Sequence, residues 1–483
     1  MKDIDQTLIA SRSQFDELLR YVHDAVGDQH ALHEVERGLF QRLLALGRIL
    51  VEQFLAQKGL GDRGPALSVG EGQLLLRGEP EPRPYRSIFG ELAIHRYVYG
   101  CRPETLAPLD AELNLPEWKY SYLLQEWGLG LSTQEAFAES GQILERMLGT
   151  DLAVRSLERL SQKVAPDVVS FRADQPAPPL ETEAAVVVVT TDCKGVPMKR
   201  PPGVKSKQGH RRQKGEKANQ KKMACVGAVY TIEPFPRTSA QILEEVQRQE
   251  HAQDRPRPQH KRVWAELVDA KDGFFEFLAQ QVQQRQGVPA KPVVFLSDGE
   301  RALWTLKAKY LPAAVGIVDL WHVMEYLWKG AYVFHPEGSP HAEAWVGHRL
   351  QLLLEGKVSY VIGGLQQMIT KHHLRGTQKK TLETICTYFH HNRAHMCYDA
   401  YIAQGYPIGS GVAEGACRHL VKDRLERTGM RWTEAGAQAL LDLRSTYLNG
   451  EWDDFWAHYT IAEKERLYGP LSFETTSTYK AIA

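Results

Sequence analysis

Three acidic residues far apart in the chain, Asp192, Asp298 and Glu414, occupy positions from which carboxylates can do metal chemistry. Asp192 closes the valine-rich segment that begins Ala184-Ala185-Val186-Val187-Val188-Val189, a run without polar alternation that predicts a buried strand. Asp298 follows a second such run, Val293-Val294-Phe295-Leu296-Ser297. A carboxylate just past a strand end points out of the core into a cleft. Hard divalent cations such as magnesium take oxygen ligands, and phosphoryl transfer with two metals roughly 3.5 to 4 Å apart needs carboxylates from separate elements. Glu414 is the expected third ligand. Ser410 is positioned to cap a helix over Val412 to Glu426, which places Glu414 in its first turn, with Arg418 and Lys422 on nearly the same face. Acidic residues at strand ends are also common turn residues, so the inference rests on the three together.

Asp319-Leu320-Trp321-His322 follows the last predicted strand of this region. Asp319 is a rival for the second ligand position, but support of the catalytic carboxylates and an N-cap for the helix starting at Leu320 are each the stronger reading. His322, one turn on, is placed to orient a phosphate or bond a carboxylate, and equally to be a satisfied core histidine.

Basic residues form two clusters. Between Lys199 and Lys222 ten Lys or Arg residues accompany a single acid, Glu216, and no hydrophobic pattern, which predicts a loop emerging beside Asp192. Lys199, Arg200, Lys205, Lys207, Arg211, Arg212 and Lys214 are its candidate phosphate contacts, and a solvated hairpin without a role fits the same composition. The second cluster is Arg418, Lys422, Arg424, Arg427 and Arg431, with Trp432 placed to stack on a flipped base; a solvated helix face is the plainer account.

The elements that must position these groups begin with an amphipathic helix over Ala31 to Lys58, a candidate contact for multimerisation (residues 1–60). A Gly/Pro-rich stretch, Gly59 to Pro84, and short strands over Tyr85 to Val98 form a small mixed module (61–120). Over residues 121–168, Ser132 with Glu135 predicts a capping box for a helix ending at Gly149, and a second helix runs from Leu152 to Val164. The pair has helix-turn-helix spacing, offering Arg155, Ser156, Arg159 and Lys163 to DNA, and a plain helical hairpin has the same spacing. Pro166 to Glu183 reads as a linker. From Ala184 to Asp319 the order is three strands, helix, strand, helix, strand, which is that of an RNase H-like core in an α/β chain. Leu320 to Gln404 is helical, too long for a connection, and is expected to be an inserted subdomain in which Trp321, Tyr326, Trp328 and Tyr332 form the core. Residues 405–483 complete the catalytic core.

Lys and Arg number 59, Asp and Glu 59, so nucleic acid is drawn only by local clusters and not by a global field. Six cysteines without a C-x-x-C pair argue against a zinc ribbon and fit a reducing, cytoplasmic compartment. Cys386, Cys397 and Cys417 read as small buried hydrophobes. No apolar run reaches the roughly 18 to 20 residues of a membrane span and no secretion signal is visible, so a soluble chain with no membrane partner is expected.

Three strings resemble the ISKra-type bacterial insertion-sequence transposases: Thr191-Asp192-Cys193-Lys194-Gly195-Val196-Pro197-Met198, Ser297-Asp298-Gly299-Glu300, and Gly405 through His419, continuing through Lys422 to Trp432. The resemblance extends more weakly from about Tyr85 to the C-terminus. It implies a DDE-type DNA transposase whose triad falls on Asp192, Asp298 and Glu414, with an all-helical insertion before the glutamate. It further implies two Mg2+ ions, which Mn2+ can replace, and as partners the terminal inverted repeats and target DNA, bound by a homo-oligomer. Asp319 to His322 resembles the aspartate-x-x-histidine signature of Mutator-like transposases. The chain departs at Cys193, where the pattern has Gly, and around Cys101, which lacks the paired cysteines of a zinc module; no zinc is expected. The alternatives are an RNase H-fold nuclease or resolvase without strand transfer, and a domesticated DNA-binding protein without catalysis.

Overall fold

Apolar residues at three- and four-residue steps make helices of Ile4–Gly27 (α1) and Leu32–Lys58 (α2). Only the second was expected, because the apolar residues of α1 are diluted by polar neighbours on every turn. In this computed structural model, which describes residues 4–69, 73–101, 104–200, 221–246, 255–267, 271–427, 429–469 and 474–475, the chain divides into two units. One comprises residues 1–171 with 451–483, the other 172–450.

In the first unit α1 and α2 bury little: Thr7, Ser11, Ala25 and Ala56 are their buried residues, while Phe15, Leu19, Phe40, Leu43, Leu50 and Phe54 are exposed. Next come β1 (Ala66–Val69), β2 (Gln73–Ser87), β3 (Gly90–Cys101), β4 (Glu104–Leu106) and the short helix α3 (Pro108–Glu112). Much of the Gly/Pro-rich stretch is therefore strand. Pro80, Pro82 and Pro84 all lie on β2, where β3 is the only paired strand, and their two-residue spacing turns every missing N–H to the open edge. On that same edge the Arg86 N–H donates to the Lys119 carbonyl at 2.6 Å.

Helices α4 (Tyr122–Gln134), α5 (Phe137–Leu148), α6 (Val154–Val164) and α7 (Pro166–Asp174) follow. Ser132 does not cap: it is buried inside α4 with its hydroxyl on the Gly128 carbonyl at 2.7 Å. Only half of a box forms, at α5, where the Glu139 carboxylate accepts from the Ala136 N–H at 3.2 Å and the alanine offers no acceptor in return; Gly149 ends the helix at φ 65° as expected. The expected linker from Pro166 is α7, for which proline at the first turn is no obstacle.

The second unit is built on a five-stranded mixed sheet. Its strands are β5 (Val186–Pro197), β6 (Lys221–Ile232), β7 (Gln259–Glu266), β8 (Val293–Ser297) and β9 (Val315–Val318), in spatial order β7-β6-β5-β8-β9. β5, β6 and β7 pair antiparallel, whereas β8 and β9 continue parallel from β5. Helices α8 (Ser239–Val246), α9 (Lys271–Gln286) and α10 (Arg301–Tyr310) lie between strands, and only α8 was not foreseen. Val186 to Val189 are all buried because both faces of β5 are covered. Val187 and Val189 pack with Phe275 and Leu278 of α9, while Val186 and Val188 pack with the insertion helices. At about 1.5–3 kcal/mol per fully buried valine, this run is a main anchor of the sheet.

The insertion is all helical, as expected: α11 (Leu320–Ala331), α12 (Pro340–Leu354), α13 (Val358–Lys371), α14 (Gly376–Asn392) and α15 (Tyr398–Ala403). Its core joins the aliphatic Leu320, Val323, Leu327, Leu350, Leu353 and Leu365 to the buried aromatics Trp345, Phe389, Tyr398 and Tyr401; of the expected stripe only Tyr326 and Trp328 pack against it, partly buried. Trp321 and Tyr332 are exposed, and Tyr326 stacks on Tyr388 at the margin with ring centroids 4.0 Å apart.

The expected helix over Val412 to Glu426 is broken into α16 (Gly411–Ala416), a π-helical turn (Cys417–Lys422) and α17 (Asp423–Leu425). Then α18 (Glu434–Leu448), largely buried, closes the free edge of β7. Asn449 and Gln438 side-chain amides bond the backbone of Val263, Ala265 and Leu267 at 2.8–3.2 Å, in the manner of a further strand. The chain then returns to the first unit with α19 (Trp452–Tyr468) and β10 (Glu474–Thr475), so residues beyond 450 do not complete the second unit as expected. Among the described residues no helix is long and apolar enough to cross a membrane.

Candidate functional site

The pleat of the sheet decides which side each acidic residue faces. Val186 and Val188 on β5, and Val294 and Leu296 on β8, face the insertion side, and a period of two carries Asp192 and Asp298 to that same side. The parallel register pairs Thr191 with Ser297, so the two aspartates stand one residue beyond the last row that joins β5 to β8, with Asp192 still paired to Val226 of β6 inside a strand expected to end there. Each spends one oxygen locally: Asp192 Oδ1 accepts from the Cys193 N–H at 2.6 Å and Asp298 Oδ1 from the Glu300 N–H at 2.9 Å. The other Asp298 oxygen has no hydrogen-bond partner among the described residues. Burial raises the Asp298 pKa above the ordinary carboxylate value and the neighbouring Asp192 charge adds to that, while His322 opposes it. Two half-buried carboxylates repelling one another are a donor set suited to a hard cation.

Asp298 is held from the insertion. Tyr388 donates its hydroxyl to the Asp298 carbonyl at 2.7 Å, and Gly299, at φ 89°, leaves that approach open, because a Cβ there would stand 2.9 Å from the tyrosine oxygen.

Asp319 is pinned and not open. It is the N-cap of α11, 2% exposed; Oδ1 accepts from the Trp321 N–H at 3.0 Å and the Ser410 N–H at 3.1 Å, and Oδ2 from the Ser410 hydroxyl. Oδ2 also meets His322 Nδ1 at 3.1 Å. With both oxygens engaged, Asp319 has the geometry of a positioning residue. Its bond to His322, together with the charges of Asp319, Asp298 and Asp192 and against the cost of burial, pushes the imidazole pKa up to about 9. At neutral pH His322 is an imidazolium facing the aspartate pair.

Ser410 does not cap α16 as expected; its hydroxyl is spent on Asp319, and only its carbonyl accepts from the Glu414 N–H, at 3.0 Å. Glu414 lies in the first turn as predicted, on a helix packed against β5 and β6, with its side chain exposed. One turn on, the buried Cys417 thiol lies beside Asp192, and burial followed by that charge pushes its pKa upward. Among the described residues no three His, Cys, Asp or Glu side chains stand together as a metal-binding group. Asp192 and Asp298 feel one another's charge, His322 is bonded to Asp319 and feels both aspartates, and the Glu414 carboxylate is exposed, a turn before the residue that lies beside Asp192.

Cys193 points to the opposite face, where Lys271 Nζ approaches its sulfur at 3.6 Å and Glu300 at 3.3 Å. Sequence reasoning missed Lys271 and Tyr388, since neither lies in a motif.

The basic groups divide. Arg418, Lys422 and Arg431 are exposed and Arg427 half-buried. Arg424 is fully buried, its guanidinium 5.2 Å over the Trp432 ring, so it does not belong to the basic surface. Trp432 is 8% exposed and donates Nε1–H to the Leu425 carbonyl at 3.0 Å, which removes it as a stacking platform for a base. Its backbone instead holds the end of β5, accepting from the Lys199 N–H at 2.7 Å and donating to the Pro197 carbonyl at 3.0 Å. Lys221 and Lys222, on the return strand, are paired with Glu426 and Glu434. Lys199 and Arg200 are exposed; Lys205, Lys207, Arg211, Arg212 and Lys214 lie outside the described residues. In the first unit Arg155 and Arg159 are exposed on α6, while Lys163 is committed to Glu463 and Glu117. No protein-family model matches the chain, and no curated protein matches it.

Proposed function

We propose that this chain is a DDE-type DNA transposase of an insertion sequence, built on an RNase H-like core and cutting and joining DNA with two Mg2+ ions. The observation that carries the reading is the juxtaposition of Asp192 and Asp298 on one face of adjacent parallel strands in a sheet of order β7-β6-β5-β8-β9. Taken from the first strand of that unit, the order is 3-2-1-4-5, with the helical insertion and the Glu414 helix following the fifth strand. The motif resemblance around Asp192, Asp298 and Gly405 to His419 supports the same reading.

In this scheme Asp192 and Asp298 would hold the cations, with the exposed Glu414 as the third ligand. When bound, the ions lower the pKa of the attacking water or 3′-hydroxyl and stabilise the leaving oxygen. His322 supplies a fixed positive charge for the scissile phosphate, and Asp319 keeps that charge in place. The exposed cations around the cleft neutralise backbone phosphates. Two element ends must be held at once, and the exposed apolar residues of α1 and α2 are the surface through which copies associate.

The test uses the purified full chain, Mg2+ and a plasmid carrying the element ends. Asp192→Ala, Asp298→Ala and Glu414→Ala should each lose cleavage while keeping DNA binding. Cleavage retained by Asp298→Ala would move the site to Asp319. Hydrolysis without joined products would make the chain a nuclease or resolvase, and binding without cleavage by the wild type a domesticated binding protein.

A further inference from the structure

Away from the carboxylates, the first unit carries a cleft of about 280 Å³ lined by Trp118, Lys119, Tyr120, Arg155, Ser156 and Arg159. The buried Tyr120 gives it an aromatic floor, its hydroxyl 3.0 Å from Ser156 Oγ on α6, and the half-buried Trp118 gives it a wall. Arg155 and Arg159 sit one turn apart on the exposed side of α6, whose opposite side buries Leu157, Leu160 and Val164.

The cations of this region differ in how they are used. Arg83 is bound to Asp110, Arg86 to Glu91, Arg96 to Asp110 and Lys163 to Glu463. Arg155 and Arg159 have neither an ion pair nor a side-chain hydrogen bond among the described residues. Lys119 Nζ stands 5.5 Å from the Tyr120 ring centroid, also without an ion pair, and the acid whose field reaches it, Glu91, is already held by Arg86. Among the described residues no acidic side chain lines the cleft.

The backbone beneath is fixed. The Arg86 N–H donates to the Lys119 carbonyl at 2.6 Å, the Ser121 N–H to the Arg86 carbonyl at 2.8 Å, and Gln125 Nε2 to the Tyr120 carbonyl at 2.7 Å. Arg86 also reaches the Asp151 carbonyl just before α6, at 2.6 Å. Three uncompensated cations on a rigid, concave aromatic floor are complementary to a phosphodiester with its sugar, the charged group against the guanidinium and ammonium groups and the apolar ribose edge against the rings.

We propose that this cleft is a DNA backbone subsite, in which Lys119, Arg155 and Arg159 grip phosphate and Trp118 and Tyr120 carry the adjoining sugar. It rests on the DNA-processing function argued above, and it places a grip on DNA in a unit that contains none of the three carboxylates.

The experiment measures binding of the full chain to labelled random-sequence duplex DNA across a salt series. The Arg155→Ala/Arg159→Ala double variant should bind about 10- to 100-fold more weakly at low salt, with the slope of log affinity against log salt smaller by about 2, because two phosphate contacts are gone. Arg155→Lys/Arg159→Lys should keep most of that slope, a rescue that a purely structural role would not show. Trp118→Ala should weaken binding while leaving the slope unchanged, and Arg20→Ala on α1 should change neither. An unchanged slope in the alanine double variant overturns the subsite while leaving the functional reading intact. A wild type that binds no duplex overturns both. Competition by polyglutamate as effective as by DNA would assign the cleft to an acidic protein segment and overturn the proposal.

Discussion

Asp319 and Ser410, 91 positions apart, are joined twice: the serine N–H donates to Oδ1 at 3.1 Å and the serine hydroxyl donates to Oδ2. The whole helical insertion lies between them, so this one carboxylate fixes the start of α11, the loop that carries Glu414's helix, and, through Oδ2, the His322 ring.

Removal of that hub should be felt in stability and in titration. Asp319→Ala strips a cap and leaves buried donors unsatisfied, a loss of about 2–4 kcal/mol readable in thermal unfolding. In Asp319→Asn the His322 pKa should fall from about 9 towards 6.5, followed by proton NMR of the ring without added metal. Since the folded-state value is the raised one, the stabilisation it supplies is complete below 6.5 and disappears as pH climbs through about 9. A His322 pKa unmoved by the substitution would refute the assigned coupling.

The aspartate pair predicts a loss of the same sign, in the carboxylate range instead of the imidazole range. Burial and like charge raise Asp298, so the metal-free fold loses stability as pH rises through that carboxylate's titration. Asp192→Asn should therefore melt higher than wild type at neutral pH without metal, while losing the stabilisation that Mg2+ gives the wild type. Calorimetry with and without Mg2+ reads both effects, and equal Mg2+ response in the two proteins would exclude Asp192 as a ligand.

Neighbours in sequence, Arg431 and Trp432 should behave differently. Trp432→Ala should destabilise by about 3–5 kcal/mol, as a large buried side chain does. Arg431→Ala should leave stability within about 0.5 kcal/mol and reduce the salt slope of DNA binding by about 1. Denaturation curves and salt titrations separate the two.

For the N-terminal helices, Leu43→Glu/Leu50→Glu should lower the mass of the full chain measured by light scattering, without loss of helical circular dichroism. A wild type that is monomeric at every concentration tested would remove the multimer from the scheme.

By itself the sequence determined the α/β class, the strand and helix order from Val186 to Val318 apart from α8, the helices from Leu320 to Ala403 and the place of Asp298 just past β8; Asp192, expected at a strand end, lies inside β5, which runs on to Pro197 and pairs Asp192 with Val226 of β6. Those features are written in local periodicity: an unbroken apolar run makes a strand buried on both faces, and alternation along it selects the side of the sheet. Tertiary structure decided what depends on partners distant in the chain. Ser410 looked like a cap until Asp319 took its hydroxyl, Arg424 looked like surface until the π-helical turn carried it inward over Trp432, and Trp432 found a carbonyl in place of a base. The three prolines of β2 gave no strand signal because their compatibility with a strand depends on which edge lies open, and the pairing of β2 with β3 answers that. A side chain's type and spacing set what it can do; which group reaches it first, and whether water remains beside it, is settled only when the chain closes around it.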